Sequence, residues 1–210
     1  MKLLKRFTKQ PAVAPVLNTT DVIFHAACQA VIDTVDYIEF EYTEVNVPQS
    51  GKGIYKMWQQ AVIGADTFRV YSGANAAADL YFSPKTNLAY RAVHDLDHAS
   101  AYIEGRGTTS KANELYLNCL MAKRVYSYAL RAGYTRKQAM LAFFEVYHDT
   151  CGQVDYYFEH NDFCKDQKAL TTRLASECKG VQAVLAGQLM VASLEMQAML
   201  KRCNVDFKLI

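Results

Sequence analysis

The sequence predicts a mainly α fold: a single-domain helical bundle with a small β element near residues 37–72. Three observations carry this. From Leu88 onward apolar residues recur at helical spacing, and capping signals separate the segments. Strand-like alternation is confined to two short stretches between Tyr37 and Tyr71. No interior linker divides the chain, and 210 residues suit one domain whose core needs no disulfide or metal.

Residues 1–18 read as a basic N-terminal arm, with Lys2, Lys5, Arg6 and Lys9 ahead of Pro11 and Pro15. Residues 19–210 form the helical domain. Thr19-Thr20-Asp21 offers a cap for a mostly apolar helix through Ile32, with His25 inside it. Ile38, Phe40 and Tyr42 then alternate with Glu39, Glu41 and Thr43, as in a strand. Gly51-Lys52-Gly53 is too little for a phosphate-binding loop. A short helix is expected over 54–63 and a second strand over 67–71, the two strands forming a small hairpin-like sheet.

Four helical segments follow. The first carries the histidine stretch described below and ends near Gly105 or Gly107. Ser110 caps the second, which runs to Gly133, and Thr135 with Gln138 forms a capping box for a third reaching about His160. The last begins near Asp162, with a break at Gly180 and a helix from Val181 to Cys203.

About half the residues are apolar and the net charge is only +2, which singles out no nucleic-acid partner. Six cysteines lie scattered without a Cys-x-x-Cys pair, several in apolar helical stretches. They read as reduced core residues of a cytoplasmic protein. No apolar run is long enough to span a membrane, and the amino terminus lacks the apolar centre of a secretory signal.

The chemistry concentrates in Arg91-Ala92-Val93-His94-Asp95-Leu96-Asp97-His98. At ~100° per residue His94 and His98 lie on one helix face, flanked by Asp95 and Arg91, while Asp97 points elsewhere and reads as a surface charge. Two imidazoles one turn apart can share a metal ion, although the same spacing also occurs in hydrogen-bonded helix packing. Glu114 opens the next helix, where the helix dipole alone would favour an acid. On the third helix Glu145, Asp149, Gln153, Tyr156 and His160 share a face that is either solvated or lines a site. Gly152 in mid-helix signals close packing or a ligand.

These residues predict a metal site of His94, His98, Glu114 and Asp149. Asp95 and Asp149 are the candidate catalytic acid–base groups, and Arg91 is placed to hold a phosphate or carboxylate. Mixed imidazole and carboxylate donors suit Zn²⁺, Mn²⁺ or Fe²⁺, and such an ion can generate hydroxide near neutral pH.

Two resemblances touch the same positions. His25, His94-Asp95 and Asp149 (or Asp155) resemble, in type and order, the His … His-Asp … Asp pattern of HD-domain phosphohydrolases, although the interval from His25 to His94 is long for that family. Arg91-x-x-His94-Asp95 with His98-Ala99, then Asn113-Glu114, then Asp149-x-x-Gly152-Gln153, is similar to a helical domain of tailed-phage proteins. This second resemblance covers about residues 88–157. Asn113 stands where glycine is common and Asp149 where glutamate is. It implies a phage origin and host-cytoplasmic location, but no settled activity.

The expected function is therefore a metal-dependent phosphoesterase acting on a nucleotide or other small phosphorylated substrate. The alternative is a non-enzymatic protein that binds a host or phage protein and uses the polar cluster to fix helix register. Nucleic acid is the disfavoured partner, because the site is acidic.

Overall fold

The computed structural model describes residues 19–76, 79–107, 110–187 and 194–204; the basic arm expected over 1–18 lies outside them. Among the described residues the elements run α1 (Thr19–Ile32), β1 (Phe40–Thr43), α2 (Gly51–Val62), β2 (Phe68–Tyr71), α3 (Pro84–Ile103), α4 (Lys111–Arg131), α5 (Arg136–His160), α6 (Gln167–Glu177), α7 (Lys179–Leu185) and α8 (Leu194–Arg202). The fold is mainly α, as the periodicity requires.

The sheet differs from the expected hairpin. β1 and β2 pair in parallel, Phe40 opposite Phe68 and Thr43 opposite Tyr71. Parallel strands cannot be joined by a tight turn and need a longer crossover, which a helix supplies here. That helix is α2, whose start is fixed by Ser50: its side chain accepts from the Gly53 amide. α2 buries Ile54, Met57 and Ala61 at helical spacing against the sheet and α3.

α3 starts at Ser83, which accepts from the Thr86 amide, with Pro84 in the first turn. Asp21 of α1 takes hydrogen bonds from the amide and hydroxyl of this same Ser83, tying α1 to the start of α3. Ser110 caps α4, and Thr135 with Gln138 forms the capping box of α5. The chain then departs from the expected Val181–Cys203 helix. α6 and α7 meet at Cys178, which is extended (ψ 111°), so Gly180 lies inside α7 rather than at a break. Gly187, at φ +78°, follows α7 in the left-handed conformation that glycine accepts.

Two apolar clusters result. One joins α1, α4 and α5 around Phe24, Met121, Val125, Phe143, Phe144 and Val146. The other sets Ile54 and Met57 of α2 against Phe68, Val70 and α3. α3 serves both. Ala89 and Val93 join the first; Ala92, Leu96 and Ala99 join the second. Arg91, His94, Asp95 and His98 occupy the sector of α3 that neither core takes.

All six cysteines are free, five of them buried and Cys164 partly exposed. Thiol titration of unfolded, unreduced protein is expected to find all six; two or fewer would contradict this arrangement. No helix among the described residues is long and apolar enough to cross a membrane.

Candidate metal centre

His94 and His98 stand one turn apart on α3, with ring centroids 4.5 Å apart and planes nearly perpendicular. Glu114 reaches them from the first turn of α4, where the Ser110 cap sets the helix start and the helix dipole favours an anion. Its Oε1 lies 3.3 Å from His98 Nε2 and its Oε2 lies 3.5 Å from His94 Nε2. One ligand atom from each of the three residues lies within 4.8 Å of the others. Metal donors sit ~2 Å from their ion, so the group is already close to the span of one cation.

His94 Nε2 is buried and has no aligned hydrogen-bond partner, so its contact with Glu114 is ionic. Burial opposes charge on His94, yet Glu114 outweighs it and the imidazole pKa is raised. Burial likewise works against the Glu114 carboxylate, and the two imidazoles outweigh it, holding its pKa down at about 2. Asp95, the next residue on α3, is pushed up to about 6 by burial, against the pull of His94, His98 and Arg91.

A polar chain lies behind the three donors. The Tyr90 hydroxyl donates to Asn118 Oδ1, and Asn118 Nδ2 donates to the Glu114 carbonyl at 3.0 Å. The Tyr90 ring also packs on His94, with centroids 5.5 Å apart. Tyr90 precedes His94 by one turn, so its place on this face was available from helical spacing.

Other expected site residues are committed elsewhere. Arg91 donates to the carbonyls of Tyr71 (2.9 Å), Gly73 (2.6 Å) and Ala74 (3.3 Å), which closes the connection from β2 toward α3. Its guanidinium is a brace for that loop and not a free anion clamp.

Asp149 lies outside the three-donor group. Its Oδ1 accepts from Thr171 of α6 at 2.9 Å and from Gln153 at 3.3 Å. The face bearing Asp149 is thus turned into the α5–α6 contact rather than to solvent. Gly152 serves the same contact, since a Cβ there would come within 2.5 Å of Leu174 Cδ1. His148 is buried and held neutral by burial, its pKa lowered to about 4. His160 is exposed and stacks on Tyr156, while Asp155 pairs with Lys111. His25, from the HD-type pattern, sits on α1 near Lys85 and Asp21.

Burial raises the Asp149 pKa from 3.8 to about 7. The folded state therefore holds a proton that the unfolded state releases, and this group's contribution to stability falls as pH rises from 3.8 toward 7. In Asp149→Asn that slope is absent. The melting temperature of the variant relative to wild type is expected to climb between about pH 4 and pH 8. Metal binding should be unchanged; a loss of binding would return Asp149 to the ligand set.

Asp97, expected at the surface, is buried and makes a two-pronged contact with Arg124 of α4, including Nη2 to Oδ1 at 2.7 Å. The pair bridges α3 and α4 on the side of α3 away from Asp95.

No family model matches this chain, and neither curated proteins nor solved structures yield a match. The class of chemistry therefore rests on the donors themselves: two neutral-capable imidazoles and one carboxylate, joined across two helices.

Proposed function

We propose that this chain is a metal-dependent hydrolase, acting on a phosphoester such as a nucleotide. The observation that supports it is the approach of His94, His98 and Glu114 to one point, with the buried Nε2 of His94 held only by its ionic contact with Glu114 and by no hydrogen bond. Three protein donors would leave coordination positions for water and substrate, as catalytic sites require. A bound Zn²⁺, Mn²⁺ or Fe²⁺ would lower the pKa of its water to about 7. Asp95, next to His94 in the chain and acting electrostatically on both histidines, is the candidate base. With Arg91 occupied by backbone carbonyls, the ion itself is the candidate partner for a phosphoryl oxygen.

The second reading is a scaffold for binding a host or phage protein, as the resemblance to a tailed-phage domain would suit. Its support is that Glu114 already meets both imidazoles and that Arg91 and Asp149 are consumed by internal bonds. Metal analysis after reconstitution with each of the three ions, followed by assay on p-nitrophenyl phosphate, bis-p-nitrophenyl phosphate and nucleotides, decides between them. One bound ion with metal-dependent hydrolysis that His98→Ala abolishes supports the hydrolase. A protein that takes up no ion supports the scaffold.

A further inference from the structure

The two edges of the small sheet are finished differently. In its parallel ladder the Phe68 amide donates to the Glu39 carbonyl at 2.8 Å, and the Ser72 amide donates to the Thr43 carbonyl at 2.9 Å. With Phe40 opposite Phe68, this register turns the backbone groups of Glu39, Glu41 and Thr43 toward β2 and those of Phe40 and Tyr42 outward. On β2 the outward positions are Arg69 and Tyr71, and helices cover them. The Arg69 amide donates to Met57 Sδ of α2 at 3.2 Å, and the Tyr71 carbonyl accepts from Arg91 of α3 at 2.9 Å. On β1 the outward amides and carbonyls of Phe40 and Tyr42 make no hydrogen bond among the described residues.

We propose that the outer edge of β1 is a docking site for an extended basic segment of a partner protein, which joins the sheet as a third strand.

Backbone hydrogen bonds supply the attachment in strand addition, and alternate side chains select the occupant. Phe40 and Tyr42 share the face of the sheet that carries Phe68 and Val70; the Phe40 and Phe68 rings meet at 5.6 Å. Glu39 and Glu41 project from the other face and are exposed. The stretch from Asp33 to Val45 holds Asp33, Asp36, Glu39, Glu41 and Glu44 and no Lys or Arg, in a chain whose net charge is +2. Arg69, the cation on β2, is already paired with Asp66.

An added strand sets its own side chains beside these in two alternating rows. One row meets the carboxylates of Glu39 and Glu41 and favours Lys or Arg. The other meets Phe40 and Tyr42, the latter 42% exposed, and favours β-branched or aromatic groups. A second copy of this chain is the poorer occupant. It would bring its own Glu39 and Glu41 against the same acids, and like charges placed opposite one another destabilise a strand pair. The acids that admit a basic strand therefore also keep this edge from pairing with itself. The surface shares no residue with the metal centre, so its occupancy is independent of whether an ion is bound.

The test titrates the full chain into a fluorescein-labelled synthetic peptide that alternates Lys with Val, read by anisotropy. Two control peptides have Glu in place of Lys, or the same lysines and valines grouped in two blocks. The alternating Lys peptide is expected to bind and the other two to bind at least about tenfold more weakly. Tyr42→Pro removes one outward amide and no ladder bond, and should weaken binding about tenfold. Glu39→Lys with Glu41→Lys should do the same through charge. Saturating peptide should slow amide exchange at Phe40 and Tyr42 about tenfold. Circular dichroism checks that each variant folds; if Tyr42→Pro does not, the charge reversal and the exchange measurement carry the test. No binding, equal binding of the grouped peptide, or unchanged affinity in the charge reversal overturns the proposal. So does slow exchange at Phe40 and Tyr42 without peptide, whether from self-association seen by sedimentation or from another part of the chain.

Discussion

Saturating Zn²⁺ is expected to raise the melting temperature of metal-free protein, and His94→Ala or His98→Ala should remove that rise. A ligand at 100 times its dissociation constant stabilises by about 2.7 kcal/mol. At roughly 2–4 °C per kcal/mol for a chain of this size, the rise is about 5–11 °C. Loss of one donor should weaken binding by more than the roughly 10–100-fold typical of losing an outer-shell partner.

The pH dependence carries a sign that separates this site from a nonspecific one. His94 must be neutral to bind, and its pKa is raised above 6.5 by Glu114 against burial. Affinity should therefore fall as pH drops through that raised value, above 6.5 rather than at it. In metal-free protein the sign is opposite. The His94–Glu114 pairing stabilises fully below 6.5 and is lost as pH rises through the raised pKa. Zn²⁺-induced stabilisation should thus grow with pH across that window. A shift that is flat with pH, or that survives in His98→Ala, would place the ion elsewhere.

Arg124→Met should destabilise the fold by about 3 kcal/mol, at the low end of the range for breaking a buried ion pair. The Asp97 side chain is only 8% exposed, so removal of its partner strands a carboxylate away from water. The low end applies because Arg124 is 29% exposed and water can partly replace it. Replacing both residues, as Asp97→Leu with Arg124→Met, should restore most of the loss, since no charge is then buried alone. Urea unfolding of the two variants measures this directly. A single variant as stable as wild type would show that the pair does not hold α3 to α4.

Much of the helical order was legible because its signals are local. Ser110 and Thr135–Gln138 act within one turn, and the structure places both at helix starts. The parallel pairing was open to inference: residues 54–63 read as helical between two strands, which suits a βαβ unit better than a hairpin. Asp97 shows a different limit. Its charge suggested solvent, yet at 100° per residue it falls between Val93 and Ala101, both buried. Position on the wheel outweighed residue type. Arg91 and Asp149 could not be placed this way, because their partners are backbone carbonyls at and just after the end of β2 and Thr171 on α6. Those contacts depend on how elements dock, and no local pattern encodes that. His94, His98 and Glu114 were easier because two of the three share a helix turn.

The division of α3 between two cores bears on how the molecule comes apart. Ala89 and Val93 face one cluster while Ala92, Leu96 and Ala99 face the other, so neither can melt and leave α3 intact. Opening of the β1–α2–β2 layer strips one flank of the helix that the α1–α4–α5 layer needs on its other flank. The two layers should therefore exchange their amide protons as one cooperative unit, with α3 among the slowest backbone segments to exchange. The histidine pair rides on that segment, which keeps its spacing fixed through all the smaller openings of the chain.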